Sequence, residues 1–139
     1  MQLGANFAGS AIETSMLGAC HACANPLTAH YGLTHGIAIG ILLPHVIRFN
    51  SRAVAQLYGD LAHELGLVNG DWQAAAETLA RRISHFMQLA GLPTTLSACG
   101  VSKGILSVFA DEAAQQWTGK FNPVPVGFAE LLQLYEAAF

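Results

Sequence analysis

The run LTHGIAIGILLPHVIR, residues 33–48, decides how this chain folds. Its apolar centre, residues 36–47, is about 12 residues long and closes in Leu-Pro-His, well short of the ~20 residues a membrane-spanning helix needs. Extending it backward brings in His35, His30, Pro26, Asn25 and His21, each costly in hydrocarbon, so no membrane is expected as a partner. Neither this run nor any other alternates with period two. The segment reads as a buried helix over residues 35–49, bent or interrupted at Pro44.

Working outward, residues 14–47 carry no formal charge, in a chain of 139 residues that is 53% hydrophobic and 11% charged. Upstream, Leu3, Phe7, Ala11, Ile12, Met16, Cys20 and Cys23 recur at helical spacing, which predicts one long helix ended by Asn25-Pro26, with a loop over 26–34. Its Gly and Ala content lets a neighbour approach closely but weakens the isolated helix, so packing has to hold it. Downstream the pattern becomes amphipathic. Ser51 is read as the cap of a helix over 51–65, and Asn69-Gly70-Asp71 as a turn and cap. A helix over 71–90 is stopped by Gly91-Leu-Pro93. A short turn follows over 94–100, Ser102 caps a helix reaching Trp117, and Pro123-Val-Pro125 is extended. A final helix over 127–138 carries Phe128, Leu131, Leu132 and Tyr135 on one face. The fold class is all-α, a single domain built as a bundle of five to six helices.

Several function classes drop out at this point. A net charge of −3, with six scattered basic residues, leaves no stripe for nucleic acid. There is no Gly-x-Gly-x-x-Gly or Walker loop and no Gly-x-Ser-x-Gly elbow, so nothing here cradles a nucleotide phosphate or presents a nucleophilic serine. Three cysteines fit a reducing compartment better than a disulfide framework, and the N-terminus has no basic leader or cleavage pattern. A cytoplasmic location is expected.

Chemistry concentrates in the charge-free run. His21, His30 and His35 fall within fifteen residues, and a helix end followed by a loop and a second helix start can fold such imidazoles toward one point, as a metal site requires. The competing reading is core or loop histidines bonded to backbone carbonyls. Cys20 and Cys23 share a helical face, but with no βαβ pattern and no second cysteine pair they read as buried small thiols. Asp60 with His63, and His85, lie on amphipathic helices where solvent accounts for them; His45 is expected to pack near the Pro44 bend.

Leu17-Gly-Ala-Cys-His21, the run from Leu33 through His35-Gly to Pro44-His-Val, then Arg48-Phe-Asn50, Gly91-Leu-Pro93 with Leu96, Gly100-Val101 and Asn122-Pro123 together resemble the iron-containing, or group III, alcohol dehydrogenase family. The resemblance runs over essentially the whole chain. In that family an N-terminal domain binds NAD(P), and a C-terminal helical domain holds Fe(II) or Zn(II) through one Asp and three His. It implies that His21 and His35 are two of those four metal ligands; the other two belong to an Asp-x-x-x-His motif upstream of anything present here, as does the nucleotide-binding domain. Family members often carry a second His one turn after the first ligand, where this chain has Asn25, and commonly a Pro before the second ligand, where it has Thr34. His30, lying between the ligands, is the candidate for a local catalytic substitute.

Hydride transfer needs a nicotinamide held against the metal-bound substrate, so NAD(P) is expected only if a separate nucleotide-binding domain supplies it. Two other readings follow from the same residues. A divalent metal on His21 and His35, with His30 or a neighbouring chain completing the shell, could activate water for hydrolysis of a small ester or phosphoester. Alternatively the chain is a non-catalytic helical module. In each case exposed apolar helices predict self-association into a homo-oligomer.

Overall fold

The computed structural model describes residues 2–68 and 72–139, and among them the secondary structure is helical throughout, with no strand. Six α-helices follow one another: α1 (Gln2–Ser15), α2 (Ala19–Tyr31), α3 (His35–Glu64), α4 (Trp72–Leu89), α5 (Leu106–Ala114) and α6 (Phe128–Ala137). Short 3-10 turns lie at Ser97–Cys99, Lys103–Ile105 and Trp117–Phe121. The all-α class and the helix number agree with the sequence. The expected turn at Asn69-Gly70-Asp71 falls outside the described residues.

Two boundaries differ from expectation, and both differences are physical. The long first helix breaks in two at residues 16–18, where Met16 adopts φ 62° and the N–H of Ala19 donates to Asn122 Oδ1 at 3.2 Å. A contact 103 residues away therefore restarts the helix, which no local periodicity signals. Pro26 does not end α2. The helix runs through it to Gly32, whose left-handed φ of 61° and N–H bond to the Thr28 carbonyl make the stop. An interior proline costs ~3 kcal/mol or more by removing one donor and crowding the preceding turn. Here the ring is buried, and in the same turn the Tyr135 hydroxyl donates to the Cys23 carbonyl at 2.6 Å.

The helices expected at 35–49 and 51–65 form one 30-residue helix, α3. Its kink is at Val54 (φ −129°, ψ 29°), and Pro44 lies buried within it. Ser51 does not cap; its hydroxyl donates to the Arg48 carbonyl at 2.7 Å, a bond compatible with a continuing helix. By length and composition α3 could cross a membrane, but its apolar side packs inside the protein through Ala38, Ile41, Leu42, Val46 and Ile47. Gly91 (φ 66°) stops α4 as expected, with its N–H on the Gln88 carbonyl and that of Leu92 on Met87. α5 is shorter than the helix expected to reach Trp117: Ser102 leads into a 3-10 turn, and its N–H donates to the Tyr31 hydroxyl.

Two cores result. The larger joins α2, the first half of α3, α5 and α6 around Cys23, Leu27, Ile41, Leu42, Phe109, Leu131 and Tyr135. The smaller, between α3 and α4, holds Ile47, Ala62, Ala75, Leu79 and Ala80. α1 contributes to neither, since none of its residues is buried.

Candidate metal centre

His21 is the third residue of α2 and His35 the first of α3. Their ring centroids lie 5.3 Å apart with the planes inclined at 45°. Reaching that arrangement makes a demand on the chain. From His21 to Tyr31 the helix advances about 15 Å at its usual rise. Four residue steps, from Tyr31 to His35, then have to bring the second ring back beside the first, and four steps reach at most about 14 Å. Gly32 in its left-handed conformation makes the reversal. Thr34 (φ −53°, ψ 126°) leads into α3, its carbonyl accepting from the N–H groups of Ile37 and Ala38. That φ is proline-like, so threonine fits a position where the resembling family commonly carries Pro.

Burial, reinforced by the neighbouring His35 ring, holds the His21 imidazole below its ordinary pKa. Its neutral form, the one that ligates metals, is thereby favoured at neutral pH. Among the described residues no third His, Cys, Asp or Glu joins the pair. The donor set thus fits half of a four-ligand shell for Fe(II) or Zn(II), and the rest has to come from outside these residues.

His30 does not join the pair. It lies nine residues after His21 on the same helix, which places it half a turn round and on the opposite face. There its Nε2 lies 2.9 Å from both carboxylate oxygens of Glu112 on α5, and its ring packs against Phe109. The expectation that His30 stands in beside the ligands fails on this helical phase. Asn25, four residues after His21 and on its side of α2, donates instead to Gln116 Oε1 at 3.0 Å. Gln116 is 91 residues away and carries no motif, so sequence reading alone passes over it.

Both cysteines of the Cys20-x-x-Cys23 spacing are buried free thiols. Burial pushes Cys20 up to about 12 and Cys23 higher still, so neither offers a thiolate. Asp60, His63 and His85 are exposed on α3 and α4, and none forms a three-residue ligand cluster with the pair. His45 is half-buried, and burial together with Arg48 lowers its pKa.

The frame around the pair rests on two amides, Asn50 and Asn122, whose pairing carries no signal in the sequence. Asn122 and Asn50, both buried, exchange hydrogen bonds of 2.7 and 3.1 Å, and Asn122 also donates to the Val124 carbonyl at 2.8 Å. With its bond from Ala19, Asn122 ties together the start of α2, the middle of α3 and the segment before α6.

The Fe-containing alcohol dehydrogenase family, C-terminal, matches residues 1–139. Lactaldehyde reductase of Escherichia coli K12 is 31% identical over the whole chain, which covers 37% of that protein. Alcohol dehydrogenase 4 of Schizosaccharomyces pombe is 33% identical over 94% of the chain and 30% of its own length. The crystal structure of a 1,3-propanediol oxidoreductase superimposes with a TM-score of 0.83 at 29% identity, over 89% of this chain and 33% of that one. An alcohol dehydrogenase from Oenococcus oeni shares the fold at a TM-score of 0.87 and 24% identity, over 95% of this chain and 35% of its own. The chain spans about a third of the length of the curated relatives it matches. With the match over every residue and the paired imidazoles in place, the chain belongs to the Fe-containing alcohol dehydrogenase family, as its C-terminal helical domain.

Proposed function

We propose that this chain forms the helical wall of a metal-dependent site that interconverts small alcohols and aldehydes, with His21 and His35 holding a divalent iron or zinc ion. The observation that carries this is the convergence of the two rings at 5.3 Å. NAD(P) and the remaining ligands would come from a separate nucleotide-binding region. Bound there, the metal would polarise an alcohol or carbonyl oxygen as a Lewis acid. His21 stays unprotonated and available to it. The Asn25–Gln116 amides beside it have no proton to exchange near neutral pH, so they offer hydrogen bonds only. His35 is exposed, which leaves the opposite side of the site open to another wall. Names of relatives, lactaldehyde reductase and 1,3-propanediol dehydrogenase, support a small substrate.

Co(II) titration of the purified chain, followed by its visible absorption, tests the reading. Saturable binding is expected, weakened at least ~10-fold in His21→Ala and in His35→Ala, in line with the effect of disturbing a metal shell. Binding unchanged in both variants would overturn it. The same preparations, assayed with Zn(II) and activated esters, test the hydrolytic alternative. Catalytic zinc sites use three protein ligands and this pair offers two, so no turnover is expected. Metal-dependent turnover lost in His21→Ala would replace the dehydrogenase reading with a hydrolase.

A further inference from the structure

A single stretch of chain, residues 116–122, grips the first two turns of α2 along one face. Asn122 Oδ1 accepts from the Ala19 N–H at 3.2 Å. A Cβ on Gly119 would lie 3.7 Å from the Ala22 Cβ, so the backbone there packs directly on the helix. Gln116 Oε1 accepts from Asn25 at 3.0 Å. The contacts thus fall at every third residue of α2 and run antiparallel to it, with His21 between the first and the second. α3 is held from the same point. Asn122 and Asn50 exchange hydrogen bonds of 2.7 and 3.1 Å. Within α3 the non-helical backbone is at Val54, past Asn50, so residues 35–50 form an uninterrupted rod of about 22 Å with His35 at its far end. The Cys20 thiol, next to His21, donates to the Ile39 carbonyl of that rod at 3.8 Å.

The two imidazoles therefore stand at the ends of one continuous path. It runs from His21 to Ala19, across Asn122 and Asn50, and back along α3 to His35. The return from Tyr31 bounds the separation of the rings, since a four-step tether reaches about 14 Å and their centroids lie 5.3 Å apart. How the rings face each other is left to be set, and the lever on α3 is long. A tilt of ~3° about Asn50 moves the far end of a ~22 Å rod by about 1 Å. That is about twice the ~0.5 Å within which a binding constellation has to be held.

We propose that Asn122 is a positioning residue for the metal pair: clasped to Asn50 and seated on the start of α2, it fixes the angle between the two helices and holds His21 and His35 in register. The proposal rests on the metal reading above. It gives Gly18 a part as well, because a Cβ there would approach Asn122 Oδ1 to 2.9 Å and its Cα to 3.5 Å, wedging the clasp away from α2.

Co(II) titration of three variants, read by visible absorption, tests this. Asn122→Ala removes the clasp. Gly18→Ala keeps every polar group and displaces it, and decides the matter if Asn122→Ala does not fold. Leu79→Ala is the control, since it truncates a buried side chain in the smaller core, to which neither Asn122 nor Asn50 belongs. Circular dichroism and urea unfolding establish which variants are folded. Asn122→Ala and Gly18→Ala are each expected to bind Co(II) at least ~10-fold more weakly than the wild type, with changed band intensities, as when the support of a metal shell is disturbed. Leu79→Ala should keep the wild-type affinity and spectrum, because lost stability alone does not alter the bound geometry. Wild-type affinity and spectrum in either folded clasp variant, or equal weakening in Leu79→Ala, would overturn the proposal and leave the metal reading standing. Absence of saturable binding in the wild type would remove both.

Discussion

α1 and α2 are both rich in alanine and poor in charge, yet α1 has no buried residue whereas seven of the thirteen residues of α2 are buried. The difference lies in what crosses to each helix from elsewhere. α2 receives the Asn122 amide at its start, the Tyr135 hydroxyl in its middle and Glu112 at its end. Among the described residues, no packed element supplies α1 with a comparable tie. Small residues make close approach feasible; distant polar side chains determine which helix is approached.

The strongest way to break this comparison is to truncate matched side chains on the two helices. Leu27→Ala in α2, at a fully buried position, should lower stability by about 2–5 kcal/mol in urea unfolding, as large-to-small changes in cores do. Asn122→Ala should follow. It leaves the buried Asn50 amide and the Ala19 N–H without their partners, at about 1–3 kcal/mol per orphaned group. If that variant unfolds at the wild-type urea concentration, the distant amide is not what fixes the start of α2.

A smaller effect separates the two cores. Arg48 on α3 and Arg81 on α4 hydrogen-bond Glu77 at 2.6–3.1 Å and hold its carboxyl down to about 2. A carboxyl whose folded pKa is depressed stabilises the fold above its unfolded value of about 4.3, and that contribution is lost as pH falls from there through 2. Because Glu77 is 40% exposed, the amount is under about 1 kcal/mol. The wild type should exceed Glu77→Gln in stability at pH 6 and match it near pH 2; a difference that persists at pH 2 would refute the assignment. Smallest of all, Phe7→Ala on α1 should change the stability of the dilute monomer by no more than about 0.5 kcal/mol.

Much of this was legible in the sequence. The charge-free run and the amphipathic stripes after Asn50 gave an all-α bundle, and the spacing of His21 and His35 with its flanking matches pointed to the family. What escaped depended on contacts remote in the chain. Pro26 and Pro44 are ordinary helix breakers by local rules, yet both lie buried inside helices. His30 looked equivalent to its neighbours until the helix continued through Pro26 and its phase turned it toward Glu112. Likewise, Asn25–Gln116 and Asn50–Asn122 pair residues far apart with no periodic signal between them.

The short return from Tyr31 to His35 has a consequence for ion capture. Two side chains on a slack loop would have to be gathered by the ion itself, with the lost freedom subtracted from affinity. Here folding has already brought the two rings together, so the chelate we propose would be preorganised, its bite set largely by chain length. Selection on this segment would then act as a ruler does. Deleting Leu33 or Thr34 is therefore expected to part the two imidazoles, which the Co(II) titration would read as lost binding.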